Sequence, residues 1–150
     1  MKRIITIIIA LVMAMGIAGA QITIKKSEYE RPKMVATLAM SWSWIYQQGE
    51  DYYIVMQSDN QYDDSFWLKI GSTKEECLKS VNGLLDLTET MSDTDVVKID
   101  NGEGKQFEAM YYSALGFIGL KFHGVGYAGA GTLLQSNIKK AVKWIEKNLE

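Results

Sequence analysis

The chain has 150 residues, 16 Lys plus Arg against 18 Asp plus Glu, 47% hydrophobic and 23% charged residues. That composition excludes a disordered or collagenous chain and is sized for one domain. Without its first twenty residues the chain keeps fourteen bases, only one of them Arg (Arg31), and eighteen acids, a net charge of −4 that argues against a nucleic-acid grip.

Residues 1–20 read as a cleavable secretory signal. Lys2-Arg3 supplies a basic start, Ile4 to Met15 an apolar run, and Ala18-Gly19-Ala20 a small-residue cleavage site before Gln21. The alternative is an uncleaved anchor, because Ile4 to Ala20 is 17 uncharged residues, at the short edge of a bilayer span. The Ala-x-Ala ending favours cleavage, so the chain is expected in the periplasm or the medium. Exported domains often carry disulfides, yet Cys77 is the single cysteine and the core must hold the fold alone.

Residues 21–33 form a polar lead-in ending at Arg31-Pro32-Lys33, and residues 34–150 a single domain. Met34, Ala36, Leu38, Met40, Trp42, Trp44 and Tyr46 occupy alternate positions, and period two over thirteen residues predicts one long strand. A turn at Gln47 to Asp51 leads to a second strand, Tyr52 to Met56. A polar loop follows, then a third strand from Phe66 to Ile70. Ser72-Thr73-Lys74-Glu75 reads as a capping box opening a helix with Leu78, Val81, Leu84 and Leu85 on one face, ending near Thr90 to Ser92.

A fourth strand runs from Val96 to Ile99, with the hairpin signal Asn101-Gly102 after it. A fifth runs from Gln106 to Tyr111 and a sixth from Phe117 to Phe122. A glycine-rich stretch from Gly124 to Gly131 then leads into a last helix, Thr132 to Asn148, with Leu134, Ile138, Ala141, Val142, Ile145 and Leu149 as its stripe. The expected fold is α+β: a mainly antiparallel sheet of about six strands with two helices on one face. Its order, βββα-βββα, has the form of a duplication, although only Leu68-Lys69-Ile70 and Leu120-Lys121-Phe122 echo one another.

Candidate chemistry is sparse. Gly124-Val125-Gly126-Tyr127-Ala128-Gly129 matches GxGxxG, but the chain ends with the helix that follows. The second strand of a dinucleotide-binding unit is therefore not expected after it, and no cofactor is expected. His123 is the single imidazole. Cys77, Ser72 and Thr132 are the nucleophiles that could be set beside it, and no spacing links any of them to it. Cys77 lies beside Glu75 and Glu76, which oppose thiolate formation. Asp59, Asp63 and Asp64 crowd one loop and Asp93 and Asp95 another. Neither follows a calcium-loop pattern, and no metal site is expected.

The aromatic residues are the most unusual feature. Trp42, Trp44 and Tyr46 fall on one face of the predicted first strand, with Tyr52, Tyr53, Phe66 and Trp67 on its neighbours. One reading makes them core beneath the helices. The other makes the Trp44–Tyr46 end a stacking platform for a sugar or a partner protein. The favoured function is a small exported binding or interaction module whose partner is a protein or a carbohydrate, with no nucleic acid, and with a membrane involved only through the signal before cleavage. The alternatives are a hydrolase-like enzyme using carboxylates and His123, and a structural or inhibitory partner of another exported protein.

Overall fold

The computed structural model describes residues 30–39, 42–60, 63–100, 103–124 and 130–150. The signal, most of the lead-in, the Asn101-Gly102 pair and most of the GxGxxG stretch lie outside the described residues. Four strands come first: β1 (Lys33–Ala39), β2 (Ser43–Gln48), β3 (Asp51–Met56) and β4 (Phe66–Gly71), then helix α1 (Lys74–Thr90). Four more follow, β5 (Val96–Asp100), β6 (Gln106–Ala114), β7 (Phe117–Gly124) and β8 (Ala130–Leu134), then helix α2 (Gln135–Asn148). Each set of four is an antiparallel sheet in chain order. The fold is α+β, but the expected six strands in one sheet are eight in two, and the repeated order is ββββα.

The two additional strands have separate causes. The thirteen-residue alternating run is a hairpin: β1 ends at Ala39, the Trp42 amide donates to the Ala39 carbonyl at 3.3 Å, and β2 returns from Ser43. No Gly, Pro, Asn or Asp marks the reversal, and the inward parity changes across it: Leu38 is buried in the core from β1, whereas Ser43 and Ile45 are the buried positions of β2 and Trp44 turns outward. The second is β8, which occupies Ala130–Leu134, where the helix was expected to have begun already. Here glycine marks a tightly packed strand rather than a loop. A Cβ on Gly131 would stand 3.2 Å from Met56 Cβ and 3.6 Å from Phe66 Cβ.

The sheets meet where the chain leaves β3. Ser58 bridges Gly131, the Asp59 amide donates to the Ala130 carbonyl at 2.6 Å, and Lys121 pairs with the Asp59 carboxylate at 3.0 Å. Phe66 and Phe107 add a ring contact between the sheets at 5.4 Å. Both helices lie over the inner faces, α1 on β4 and β7, α2 on β1, β7 and β8, and pack on each other. One core results: Ile45, Ile54, Leu68, Phe107, Leu120 and Phe122 from the sheets, Val81, Leu84, Ile138, Ala141 and Ile145 from the helices.

The α1 cap forms one residue later than expected. The sequence offers two overlapping boxes, Ser72–Glu75 and Thr73–Glu76. The second forms: the Glu76 amide donates to Thr73 Oγ1 at 3.3 Å, and the Glu76 carboxylate accepts from the Ser72 amide at 2.9 Å and the Thr73 amide at 3.4 Å. Ser72 is unavailable as a cap because its hydroxyl donates to Asp51. Of the expected helix stripes, Val81, Ile138, Ala141 and Ile145 are buried; Leu78 and Leu85 are half-buried against the core, and Leu134 belongs to β8.

The β6–β7 hairpin turns in two residues, Leu115 and Gly116, with φ of +51° and +80°. Glycine tolerates this region; leucine costs about 1–2 kcal/mol there.

Candidate functional site

Alternation in β2, β3 and β4 sends one row of side chains inward to the helices and the other outward. Ser43, Ile45, Ile54, Met56, Phe66, Leu68 and Ile70 are buried inward. The outward row holds Trp44 and Tyr46 from β2, Tyr53 and Val55 from β3, and Trp67 and Lys69 from β4. No helix covers this row, yet it is far from bare. Val55 sits in register between Trp44 and Trp67 and is 3% exposed, although it lies outside the helix-covered core cluster. Trp67 packs on Tyr46 with ring centroids 5.1 Å apart and on Tyr53 at 5.8 Å, nearly edge-on. The geometry is that of aromatic pairs worth about 0.5–1.5 kcal/mol each beyond burial.

At one end of this layer lies a cleft of about 470 Å³ lined by Gln48, Asp51, Tyr53, Trp67, Glu103 and Lys105. The tight β2–β3 turn delivers Gln48 and Asp51 as a register pair, and the segment between β5 and β6 supplies Glu103 and Lys105. Polar groups are knitted together here. Lys69 Nζ lies 2.8 Å from Asp51 Oδ2, the Ser72 hydroxyl donates to Asp51, and the Tyr53 hydroxyl donates to Glu103 Oε1 at 2.9 Å. Donation from Lys69, then from Ser72, holds the Asp51 carboxyl below its ordinary value, and the bond to Asp51 raises Lys69. Burial, and next the bond to Glu103, push the Tyr53 phenol well above its usual range. At neutral pH the cleft therefore presents an ionised carboxylate, a protonated phenol and an indole.

Trp42 goes elsewhere. It stands in the β1–β2 turn, 60% exposed, and lines a separate cavity of about 270 Å³ with Gln57, Asp59, Tyr112, Thr132 and Asn137. The expected Trp42–Trp44–Tyr46 stripe is thus divided by the hairpin. Trp44 and Tyr46 share the outward face, and Trp42 faces the junction of the sheets.

The other candidates are dispersed. Cys77 is buried in α1, and burial followed by the Glu76 and Asp51 carboxylates pushes its thiol up to about 11. Ser72 serves Asp51, and Thr132 Oγ1 lies 3.5 Å from Asp59 Oδ1. His123 is half-buried on β7 opposite Glu108 and Ala130, its Nε2 buried with no hydrogen-bond partner among the described residues. It is not among the residues that line either cavity. Asp95 accepts from the Ser92 amide and hydroxyl at 2.7 and 2.9 Å, a turn-closing role. Among the described residues, no group of three His, Cys, Asp or Glu is placed to hold a metal ion. No helix among them is long and apolar enough to cross a membrane.

Sequence reasoning marked the aromatic strand but missed Glu103, Lys105 and Lys69. Glu103 and Lys105 lie more than 50 residues from Gln48 in the chain, and no local pattern links them. No protein-family model, curated protein or solved structure matches the chain.

Proposed function

We propose that this chain is a small exported binding module whose ligand lies on the outward aromatic face of the first sheet and reaches into the cleft beside Trp67. The observation that carries the reading is the cleft's composition: an indole wall with an amide, a carboxylate and an ammonium from Gln48, Asp51 and Lys105 around about 470 Å³. Such a set suits a hydroxyl-rich ring with one apolar face, above all a sugar. Its C–H face stacks on indole while its hydroxyls donate to carboxylates and accept from Lys and Gln side chains. Asp51, already charged and fixed by Lys69 and Ser72, is an acceptor that needs no reorganisation when a hydroxyl arrives.

The hydrolase reading gains nothing from the geometry. A glycosidic acid needs a carboxyl raised toward neutrality, whereas Asp51 is lowered, Glu103 accepts from Tyr53, and His123 lies elsewhere. Export with cleavage before Gln21 belongs to the same proposal, and the intact mass of protein recovered from periplasm or medium tests it. Binding is tested by following Trp emission while titrating a panel of neutral oligosaccharides. Trp67→Ala should weaken the best ligand at least about tenfold, a loss of about 1.4 kcal/mol or more. Lys105→Ala and Gln48→Ala, which leave the aromatic layer intact, should each weaken it severalfold. The proposal fails if no saccharide binds at millimolar concentration, or if all three variants bind as the unmodified chain does.

A further inference from the structure

The β6–β7 hairpin carries an unusual tip. Leu115 is 97% exposed, Phe117 57% and Ile118 38%, which is half of the six large hydrophobic residues exposed among the described residues. A fourth, Trp42, lines the same cavity as Tyr112 of this hairpin. From Ala109 to Leu120 the hairpin has twelve residues without a charge, bounded by Glu108 and Lys121. The Asp59 carboxylate in that cavity is neutralised by Lys121 at 3.0 Å. Leucine is also the wrong residue for this turn, since a φ of +51° at its first position favours Asn, Asp or Gly. A polar residue there would relieve the backbone and improve solubility together, and the chain keeps an exposed leucine. Backbone strain held at an exposed apolar tip is the pattern of an interaction element.

We infer that this hairpin tip inserts into the interfacial region of a lipid bilayer, with Leu115, Phe117 and Ile118 in the acyl boundary and Trp42 and Tyr112 behind them at headgroup depth. Four register rows, from Tyr111–Leu120 to Ala114–Phe117, give an uncharged length of about 10 Å, the depth to which interfacial elements bury. Trp and Tyr behind an apolar tip match the aromatic belt of membrane-associated proteins. A second copy of the chain fits less well. A convex tip of three side chains offers a few hundred Å² at most, short of the roughly 800 Å² per partner of a stable interface. The uncharged segment supplies no basic anchor for anionic lipids, so the partner is a zwitterionic surface and added salt should change binding little.

The test uses the chain recovered after export and its variants, all with the same N-terminus, mixed with phosphatidylcholine vesicles. In Leu115→Trp, the added indole should shift to shorter wavelength on vesicles and be quenched by brominated acyl chains. Leu115→Asn should sediment with vesicles about tenfold less than the unmodified chain, while its Tm rises because the turn is relieved. That opposite pair of effects separates a lipid contact from a packing role, since losing a packing residue lowers Tm. An unshifted, unquenched Leu115→Trp indole overturns the inference, as does equal sedimentation of Leu115→Asn. So does self-association in the absence of lipid that Leu115→Asn abolishes, which would assign the tip to a second copy.

Discussion

Adding one methyl group at two different glycines should change stability in opposite directions. Gly83 lies in the middle of α1, exposed, and a Cβ built on it meets nothing within 4 Å. Gly83→Ala therefore only removes the helix penalty of glycine, and stability should rise by about 0.5–1 kcal/mol. Gly119 lies in β7, in register between Tyr112 and Leu134. A Cβ there would stand 2.5 Å from the Leu133 carbonyl oxygen and 2.8 Å from Leu134 Cα. Both obstacles are backbone of the adjacent strand, so no side chain can rotate away and β7 and β8 must separate. Overpacking of this kind costs about 1–3 kcal/mol, with weakened β7–β8 hydrogen bonds in addition. Urea unfolding followed by far-ultraviolet circular dichroism gives both values, provided the slopes of the two variants agree with the parent. A Gly119→Ala variant within about 0.3 kcal/mol of the parent would refute the close approach of β7 and β8. A destabilised Gly83→Ala would refute the placement of α1.

Three further outcomes follow from the packing. Ile138→Ala, at a fully buried position on α2, should cost about 2–5 kcal/mol in the same unfolding assay, and a change below about 0.5 kcal/mol would contradict its burial. Ser43 Oγ is buried with no hydrogen-bond partner among the described residues, so Ser43→Ala should be neutral or stabilising by up to about 1 kcal/mol, and clear destabilisation would reveal a bond to that hydroxyl. Asp51 is lowered below 3.8 and Lys69 raised above 10.5, so their ion pair contributes fully between those values. Its contribution is lost as pH falls through the folded value of Asp51 or rises through that of Lys69. Asp51→Asn should flatten stability on both limbs; an unchanged pH profile would remove the pair from the account.

Fold class and both helices were legible because their signals are local. The α2 stripe Ile138, Ala141, Ile145 and the α1 positions Val81 and Leu84 are periodic in the chain and buried in the fold. The break between β1 and β2 was not legible because residues 39–42 carry no Gly, Pro, Asn or Asp, and apolar residues hold the even positions on both sides although those positions face the core in β1 (Leu38) and the outer face in β2 (Trp44, Tyr46). The strand β8 was hidden for the opposite reason. Gly131 reads as loop chemistry, and what it serves is contact with Met56 and Phe66, residues more than 60 positions away. The site divides along the same line: Trp44, Tyr46 and Trp67 stood out as aromatics on strands, whereas Glu103 and Lys105 reach the cleft only through the meeting of two sheets. The turn at Leu115 shows the limit of turn chemistry as a guide, because Leu-Gly forms the two-residue reversal for which Asn-Gly is the recognised signal.

Every strand of each sheet pairs only with its sequence neighbours inside that sheet. Assembly therefore begins with short loops whose closure costs little entropy, and ordering within each half requires no distant partner. The contacts that span the halves, Ser58 with Gly131, Phe66 with Phe107 and α1 with α2, must wait for the second half. A chain delivered N-terminus first can complete its first hairpins before β5 is available. The inner face of that sheet, with Ile45, Ile54 and Met56, then has no α2 to cover it. That interval, rather than the finished fold, is where this protein is most exposed to aggregation.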